Sequence, residues 1–383
     1  MATAKNDNII VRSQYGDFLD RDALKSYEFF LHRVNEKWEK QYGLRDSYDN
    51  KGDDALAEDV EYFGQWITAD DRMRYIIENI VAIPDTQLSP ANKIGNTIIS
   101  HFYGARGIHQ ITSGIKDPKK AHIDFERINK DPDYLAQIAA NCALAKKQGK
   151  KFYGTTELHT SLQTAARNFC RARYNDPTRP ASLTDIMEWI GGWTADGTVE
   201  KIMGVTSLKG MFDVLTAKPG IGEYYGYHCA TSNSVNYALP FHHDEEFCAP
   251  GPGARESLDH IFGPLKASGR IKKMPYGDLT VWIRENQDKI FEEPVKSHKF
   301  FHNFITEDGT KVFEDDQDDL KVYTTEVSLC QFGVYTYLKK NPHLISKRKV
   351  ARLEDDSVCD GALLELEKAS DKTAKSISDL LVF

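Results

Sequence analysis

Three features of the segment Lys218–Glu256 have the residue types and the spacing for chemistry on a phosphate-bearing substrate. A Pro-Gly-Ile-Gly sequence ends at Gly222, and an aromatic stretch with the character of a helix follows it. Asp244 comes 22 residues after Gly222, which leaves room for that helix and a short return loop. A second glycine-rich sequence, Gly251-Pro-Gly-Ala-Arg255, follows the Asp. The segment therefore predicts a phosphate-binding turn, a carboxylate and a second anion-binding turn in close succession.

The first turn is predicted to bind phosphate through its backbone. Gly220 and Gly222 can adopt backbone angles that other residues resist, so a tight hairpin can form around Ile221. The first amides of the helix that follows have no helical acceptor, and they lie at the positive end of the helix dipole. A grip of this kind holds a nucleic-acid strand without reading its sequence. An ordinary turn between two helices is the alternative, because Pro-Gly is common wherever helices reverse.

The hairpin, the helix and the Asp resemble the helix-hairpin-helix DNA glycosylases, in which a similar hairpin precedes a catalytic Asp. The block Asp244–Arg255 more specifically resembles the α-glutamyl/putrescinyl thymine pyrophosphorylases, also called amino acid:DNA transferases. Two weaker similarities to that family flank the block, at Phe63–Arg72 and at Leu329–Phe332. Both depart from the family pattern, for example at Gln65, which replaces an expected Asn.

The resemblance to the transferases implies a reaction on a base extruded from duplex DNA. The base is of the thymine type, its 5-methyl group carries pyrophosphate, and an amine from an amino acid or a polyamine displaces the pyrophosphate. Asp244 would take a proton from the ammonium nucleophile. His243 would protonate the leaving group or contact a DNA phosphate. Gly251, Gly253 and Arg255 would bind the departing pyrophosphate through amides of a glycine turn and through a guanidinium.

Three further residues are candidates for binding the base. Gln65 has a side-chain amide suited to the edge of an extruded pyrimidine. Arg72 is a candidate because of the weak family similarity that ends there, although Asp71 and Arg72 could instead form a surface ion pair. Tyr224 could stack on the base or simply pack in the core. Tyr224 also stands where strand-cleaving glycosylases hold a Lys for a Schiff base, so strand cleavage by that route is not predicted.

The charge distribution allows a DNA-binding surface without making the whole protein basic. The formal net charge is −8, which argues against a uniform nucleic-acid-binding surface. Lys and Arg nevertheless gather in four groups that could together line a groove for a phosphate backbone. Any one such group is usually only a solvated surface. The four groups lie within 146–151, 167–173, 266–273 and 347–352.

Metal and membrane sites are not predicted. The six cysteines are scattered and form no Cys-x-x-Cys pair, which argues against zinc and iron–sulfur sites. The run His242-His243-Asp244 has no further ligand at a diagnostic spacing. No cofactor is predicted, and the sequence leaves open whether Mg²⁺ helps pyrophosphate to depart. No apolar run reaches the roughly 18 residues that span a bilayer, and the N-terminus lacks a signal-peptide pattern. We therefore expect a cytoplasmic protein, in the host cell if a phage encodes it.

The periodicity of apolar residues predicts an all-α fold, as in the two-lobed helix-hairpin-helix glycosylases, with one minor β-hairpin within 302–313. We expect an N-terminal helical extension over 1–55, a catalytic region over 56–345 and a C-terminal helical tail over 346–383. The predicted helices cover 20–42, 71–82, 132–147, 161–174, 182–190, 197–205, 324–340 and, in the tail, part of 363–383.

The expected partners are DNA with a flipped base and a small-molecule amine, whose identity the sequence does not reveal. Two other functions fit the same residues. A monofunctional glycosylase would use Asp244 to stabilise positive charge on the deoxyribose or to activate water, and it would release a modified base. A catalytically inactive module would only bind DNA, and Asp244 would then serve as a helix cap.

Overall fold

The computed structural model describes most of the chain between residues 12 and 348 and confirms the all-α prediction. The described residues are 12–57, 60, 62, 65–66, 71–103, 107–149, 183–235, 239, 246–296, 303–305, 311–314 and 319–348.

The α-helices of this part of the chain are numbered here in chain order. They are α1 (Arg21–Gln41), α2 (Asp71–Ile76), α3 (Pro90–Tyr103), α4 (Ile108–Ser113), α5 (Phe125–Ile128), α6 (Pro132–Lys147), α7 (Leu183–Ala195), α8 (Thr198–Gly204), α9 (Leu208–Thr216), α10 (Glu223–Ser234), α11 (Pro252–Ile261), α12 (Gly263–Ala267), α13 (Tyr276–Ile290) and α14 (Val322–Lys340). Shorter 3₁₀ segments cover Arg12–Phe18, Asp54–Leu56 and Pro342–Arg348, and a π-helical turn covers Ile77–Val81.

Local sequence signals account for several helix boundaries. The side chain of Asp20 accepts hydrogen bonds from the amides of Asp22 and Ala23, so it caps α1 at its start. Asp131 caps α6 in the same way, and Pro132 occupies the first helical position. The predictions for these two helices are confirmed. The segments predicted as helices at 161–174 and within 363–383 lie outside the described residues.

The described residues fall into two compact units, each with its own helices. The first unit contains α1 and α11–α14, and α14 runs through it. Its core includes Phe30 of α1, Leu258 of α11 and Phe332 of α14. Described residues of 1–55, such as Tyr15 and Ala55, also contribute to this core. The predicted domain boundaries stay predictions.

Close contact between α11 and α14 is possible because glycines replace side chains where the two helices meet. A Cβ atom on Gly253 would lie 2.8 Å from the Sγ atom of Cys330. A Cβ atom on Gly333 would lie 3.1 Å from the carbonyl oxygen of Gly253. Ser257 adds a hydrogen bond of 2.7 Å from its hydroxyl to the carbonyl oxygen of Leu329. The start of α11 is thus fixed on α14.

The second unit contains α3–α10, and the chain enters it at Arg72, in α2. Within it, α10 packs against both α9 and α3. Every residue of α10 from Tyr225 to Ser234 is buried, although many of them are polar. A helix that is buried on all sides must place its polar groups against partners from neighbouring elements.

The predicted β-hairpin has counterparts in two short strands. The strands β1 (Asn303–Ile305) and β2 (Lys311–Glu314) pair in a two-stranded sheet. The predicted turn residues Asp308 and Gly309 lie outside the described part of the chain.

Candidate functional site: a hairpin turn, an imidazole cluster and a helix start

The connection between α9 and α10 forms the tight turn that its sequence predicts. The amide of Ile221 donates a hydrogen bond to the carbonyl oxygen of Lys218 over 3.1 Å. Gly220 has a φ angle of +93°, a conformation that residues with a Cβ atom rarely adopt. Pro219 followed by a glycine with positive φ is typical of a type II turn. The Pro-Gly sequence therefore determines the path of the chain between the two helices.

The turn leaves its second glycine exposed at the start of a helix. Gly222 is the N-cap of α10, and a Cβ atom on it would meet no other atom within 4 Å. Ile221 is buried and anchors the turn in the second unit. This start of α10 is the positive end of the helix dipole and has open space beside it, which is what a phosphate group requires.

The side chain of Lys218 fixes the turn to the end of α7. The ammonium group of Lys218 lies 2.7 Å from the carboxylate of Asp196, which follows the end of α7. The same ammonium lies 5.7 Å from the centroid of a Trp193 ring. These contacts hold the turn in place through an ion pair and a cation–π interaction.

Behind the turn, α10 contributes to a group of buried and half-buried polar and aromatic side chains, which we call the imidazole cluster: Arg72, His101, Tyr224, His228 and Ser232. The ring of His228 lies 4.4 Å from that of Tyr224, between ring centroids, and 5.3 Å from that of His101. The two imidazoles are stacked, with an interplanar angle of 21°. Nδ1 of His101 and the hydroxyl of Ser232 share a hydrogen bond of 2.9 Å.

The imidazoles of this cluster are neutral near pH 7. Burial, together with the nearby charge of Arg72, lowers the pKa of His228 to about 3. Burial and the Arg72 charge also hold the pKa of His101 well below its usual value. A neutral imidazole offers one donor and one acceptor nitrogen, and a Tyr ring offers a stacking face. Because the imidazoles are buried, the partly exposed ring of Tyr224 is the member of this pair of chemistries that a heterocyclic base could reach.

In the first unit, the predicted glycine turn at Gly251–Arg255 is instead the beginning of α11. Gly251 is the N-cap and Pro252 takes the first helical position. Gly253 lies within the helix, and Cys330 packs so closely against it that a side chain would not fit. This corrects the expectation of a glycine nest, since neither glycine has a positive φ. The amides at a helix start still carry partial positive charge, as the amides of the expected glycine turn would.

Among the described residues, Pro250 and Tyr276 contact the Arg255 side chain at this helix start. Its Nε atom donates a hydrogen bond of 2.7 Å to the carbonyl oxygen of Pro250. Its guanidinium carbon lies 5.7 Å from the ring centroid of Tyr276 on α13. The side chain is half-buried, so part of its surface remains accessible to a ligand.

Glu326 of α14 lies beneath the same helix start, and the sequence interpretation missed it. Its Oε1 atom accepts a hydrogen bond of 2.9 Å from the amide of Gly251. The side chain is fully buried, and burial raises its pKa to about 7 although the Gly251 amide and the Arg255 charge act in the opposite direction. A usable signal was present, because Glu326 shares a helix face with Leu329, Cys330 and Gly333 at spacings of three, four and seven residues.

A groove of about 420 Å³ also borders Gly253, on the side of Cys330 and Tyr337. Its lining is largely apolar, and the one charged side chain that contributes to it is the carboxylate of Glu256. This groove does not suit a polyanion, so the Arg255 side of the helix start is the better candidate for one.

A family model described as the helical domain of 5-hmdU DNA kinase matches residues 134–341, just over half of the 383 residues. The chain belongs to this family. No curated protein and no solved structure matches the chain. Membership in the 5-hmdU DNA kinase helical-domain family indicates a role in DNA base modification. The matched span includes the hairpin turn, α10, Arg255 and Glu326.

The structure brings some of the predicted residues together. Arg72 and Tyr224, which are far apart in sequence, meet in the imidazole cluster. Gly251 and Arg255 share one helix start with Glu326. Asp244 and His243 lie outside the described residues, so their roles stay predictions.

The structure places Gln65 in the core of the first unit. This side chain is 1 % exposed, and its Nε2 atom donates a hydrogen bond of 2.9 Å to the carbonyl oxygen of Leu31. We therefore correct its assignment as a base-contacting residue, because no surface of the amide is accessible to a ligand in this conformation.

Within the described residues, no group of three or more His, Cys, Asp or Glu side chains is arranged to hold a metal ion. No helix in that part of the chain combines the length and the apolar character needed to cross a bilayer.

Proposed function

We propose that this chain is a transferase that acts on an activated 5-hydroxymethyluracil base in DNA and replaces pyrophosphate with an amine. The observation that carries the proposal is that α10 contributes Tyr224, His228 and Ser232 to the imidazole cluster and begins directly after a turn suited to a DNA phosphate. Tyr224 and His228 come from the first two turns of that helix. One helix thus offers a backbone grip at its start and, at its second residue, the partly exposed ring of Tyr224, which could stack on a base. The family membership supports 5-hydroxymethyluracil in DNA as the substrate class.

The proposed reaction is a substitution at the carbon attached to C5 of the uracil ring. The nitrogen of the amine forms a bond to this carbon, and the carbon–oxygen bond to pyrophosphate breaks with its electron pair on oxygen. The ammonium form of the amine loses one proton, which we assign to Asp244 on the basis of the family resemblance. Arg255 and the start of α11 would stabilise the charge on the departing pyrophosphate. His243 would donate a proton to the leaving group or contact DNA.

A second candidate function follows from the description of the matching family. This chain could present hydroxymethyluracil in DNA to a kinase active site, which would phosphorylate its hydroxymethyl group. The sequence contains no Gly-x-x-x-x-Gly-Lys-Ser/Thr segment, the usual nucleotide-binding loop of P-loop kinases. In this case the chain would supply the DNA-binding part of the reaction, and the phosphate-transferring residues would come from elsewhere.

Mass spectrometry of nucleosides separates these possibilities. A duplex oligonucleotide carrying 5-hydroxymethyluracil, or its pyrophosphate ester, is incubated with the protein and a pool of amino acids and polyamines. The transferase proposal expects an aminated nucleoside and one released pyrophosphate for each product. A phosphorylated nucleoside that appears only with ATP would support kinase chemistry, and a free base with an abasic site would support a glycosylase. Salt-sensitive DNA binding without any product would leave only a binding module.

A further inference from the structure

The carboxyl group of Glu326 is placed where it affects any anion at the start of α11. It approaches from α14, beneath the turn, and accepts the amide of Gly251. It is fully buried, so water cannot screen its charge. Arg255, the residue assigned to pyrophosphate, lies close enough to affect the ionisation of Glu326. Two anions, one internal and one bound, would therefore depend on the same guanidinium.

Among the described residues, Arg255 is the cation whose charge acts on the ionisation of Glu326. From α1, the phenol of Tyr27 faces Glu326 and donates or accepts a hydrogen bond of 2.6 Å with Ser328. The carboxylate of Asp53 faces α14 as well, but it accepts a hydrogen bond from Tyr335. Tyr335 is nine residues beyond Glu326, or about 13 Å along the helix. From α11 come the Gly251 amide and the Arg255 guanidinium.

We propose that Glu326 is a positioning residue that couples pyrophosphate binding at Arg255 to the uptake of a proton. The carboxyl group holds the Gly251 amide and so fixes the start of α11 in both protonation states. When pyrophosphate occupies the Arg255 side, the guanidinium no longer compensates a negative charge on Glu326, which then takes a proton from solvent. Loss of that proton would weaken the pyrophosphate site and favour release of the product. This inference rests on the proposed function, because it assumes that Arg255 receives pyrophosphate.

The sign of the pH dependence follows from the ionisation of Glu326. The pKa of this carboxyl group is about 7 in the protein without ligand. Below pH 7 the group is neutral and does not oppose an anion, and above pH 7 it is charged and does. If a bound anion fully excluded the ionised form, the affinity would fall about tenfold between pH 6 and pH 8. Partial coupling gives a smaller factor of the same sign.

The experiment measures binding of inorganic pyrophosphate by calorimetry at pH 6 and pH 8, for the wild type and for Glu326→Gln. Gln keeps an acceptor for the Gly251 amide but cannot ionise. Pyrophosphate itself titrates in this range. The informative quantity at each pH is therefore the dissociation constant of the wild type divided by that of Glu326→Gln. We expect the wild-type value to rise at least about threefold relative to that of Glu326→Gln between pH 6 and pH 8. Arg255→Ala should weaken binding at both pH values.

A second measurement needs no variant and protects the test against misfolding of Glu326→Gln. Sulfate stays a dianion between pH 6 and pH 8, so any proton taken up on sulfate binding comes to the protein. Calorimetry in two buffers of different ionisation enthalpy gives this number of protons. A fraction of a proton taken up at pH 8, and less at pH 6, supports the proposal. Equal pH profiles for the two proteins, no proton uptake, or no anion binding would overturn it.

The outcome can be separated from that of the proposed function. Aminated nucleoside from both proteins with identical pH profiles would refute the role of Glu326 and leave the transferase standing. Coupled anion binding without any aminated nucleoside would leave the role of Glu326 as part of an anion site and refute the transferase.

Discussion

Gly226 of α10 packs against Thr216 at the end of α9, so closely that a Cβ atom on Gly226 would lie 2.5 Å from Cγ2 of Thr216. The Thr side chain has little freedom to move away, because its hydroxyl donates a hydrogen bond of 2.8 Å to the carbonyl oxygen of Phe212. The missing side chain at 226 therefore sets the distance between the two helices that flank the hairpin turn.

The first prediction is that Gly226→Ala destabilises the second unit by overpacking. Gly192→Ala is the matched control, because Gly192 is also helical and a Cβ atom there would meet nothing within 4 Å. Both changes gain the same helix propensity, so the difference between them isolates the clash. We expect Gly226→Ala to be less stable than Gly192→Ala by about 1–3 kcal/mol in denaturant unfolding. Equal stabilities would show that α9 and α10 can separate at no cost.

The second prediction is that replacing the two glycines of the turn by Ala affects different properties, stability for Gly220 and DNA affinity for Gly222. Gly220→Ala forces a residue with a Cβ atom into a φ of +93°, and it should lose about 1–2 kcal/mol of stability. Gly222→Ala has an ordinary φ of −81° and open space around its Cβ atom, so its stability should change by less than about 1 kcal/mol. If a DNA phosphate approaches this surface, the added methyl group should lower the affinity for duplex DNA about tenfold.

Fluorescence anisotropy with a labelled duplex measures the DNA affinity of Gly222→Ala. Gly204→Ala serves as the control, since Gly204 is also exposed in the second unit and its Cβ atom would meet no neighbour. Unchanged affinity in Gly222→Ala, with the same salt dependence as the wild type, would place the DNA contact elsewhere.

The third prediction separates the role of Arg255 from general DNA binding. Arg255→Ala should lower turnover of pyrophosphorylated DNA by about 10²-fold or more, because it removes a charged donor for the leaving group. Its affinity for unmodified duplex should stay within about twofold of the wild type, because unmodified DNA carries no pyrophosphate. Arg255→Lys keeps the charge but loses the forked geometry, and it should recover part of the activity. Equal losses of turnover and of duplex binding would contradict the assignment.

The fourth prediction is that the second unit loses stability as the pH falls below about 6.5. Burial lowers the pKa of His109 and of His228 to about 3, so the folded protein keeps these imidazoles neutral while the unfolded chain protonates them. The unfolded state then binds more protons, and each such His costs about 1.4 kcal/mol of stability per pH unit between its two pKa values.

Hydrogen exchange of peptides from α4 and α10, corrected for the intrinsic rates, measures this effect between pH 7 and pH 5. His109→Gln is the comparison variant, because Gln can keep a hydrogen bond to the hydroxyl of Ser100 but does not titrate. Its opening free energy should depend less steeply on pH than that of the wild type. An identical slope in both proteins would mean that His109 does not remain neutral in the fold.

The sequence alone determined the features that depend on neighbouring residues along the chain. The 3.6-residue periodicity predicted α6 with the boundaries that the structure has. The Pro-Gly pair predicted the turn at Gly220, because the φ preferences of these two residues are local properties. The same local reasoning found Arg255 and Tyr224 as candidates, since the family resemblance depends on short contiguous motifs.

Only the tertiary structure decided which of these residues meet and which are buried. Gln65 was predicted to contact a base, and its burial against Leu31 depends on how α1 packs. Gly253 was predicted to belong to an anion-binding glycine turn, whereas the close approach of Cys330, far away along the chain, leaves no room for a side chain there. The contact between Glu326 and the start of α11 likewise depends on tertiary structure. The burial and the charge around this carboxyl group are set by side chains that come together from distant helices.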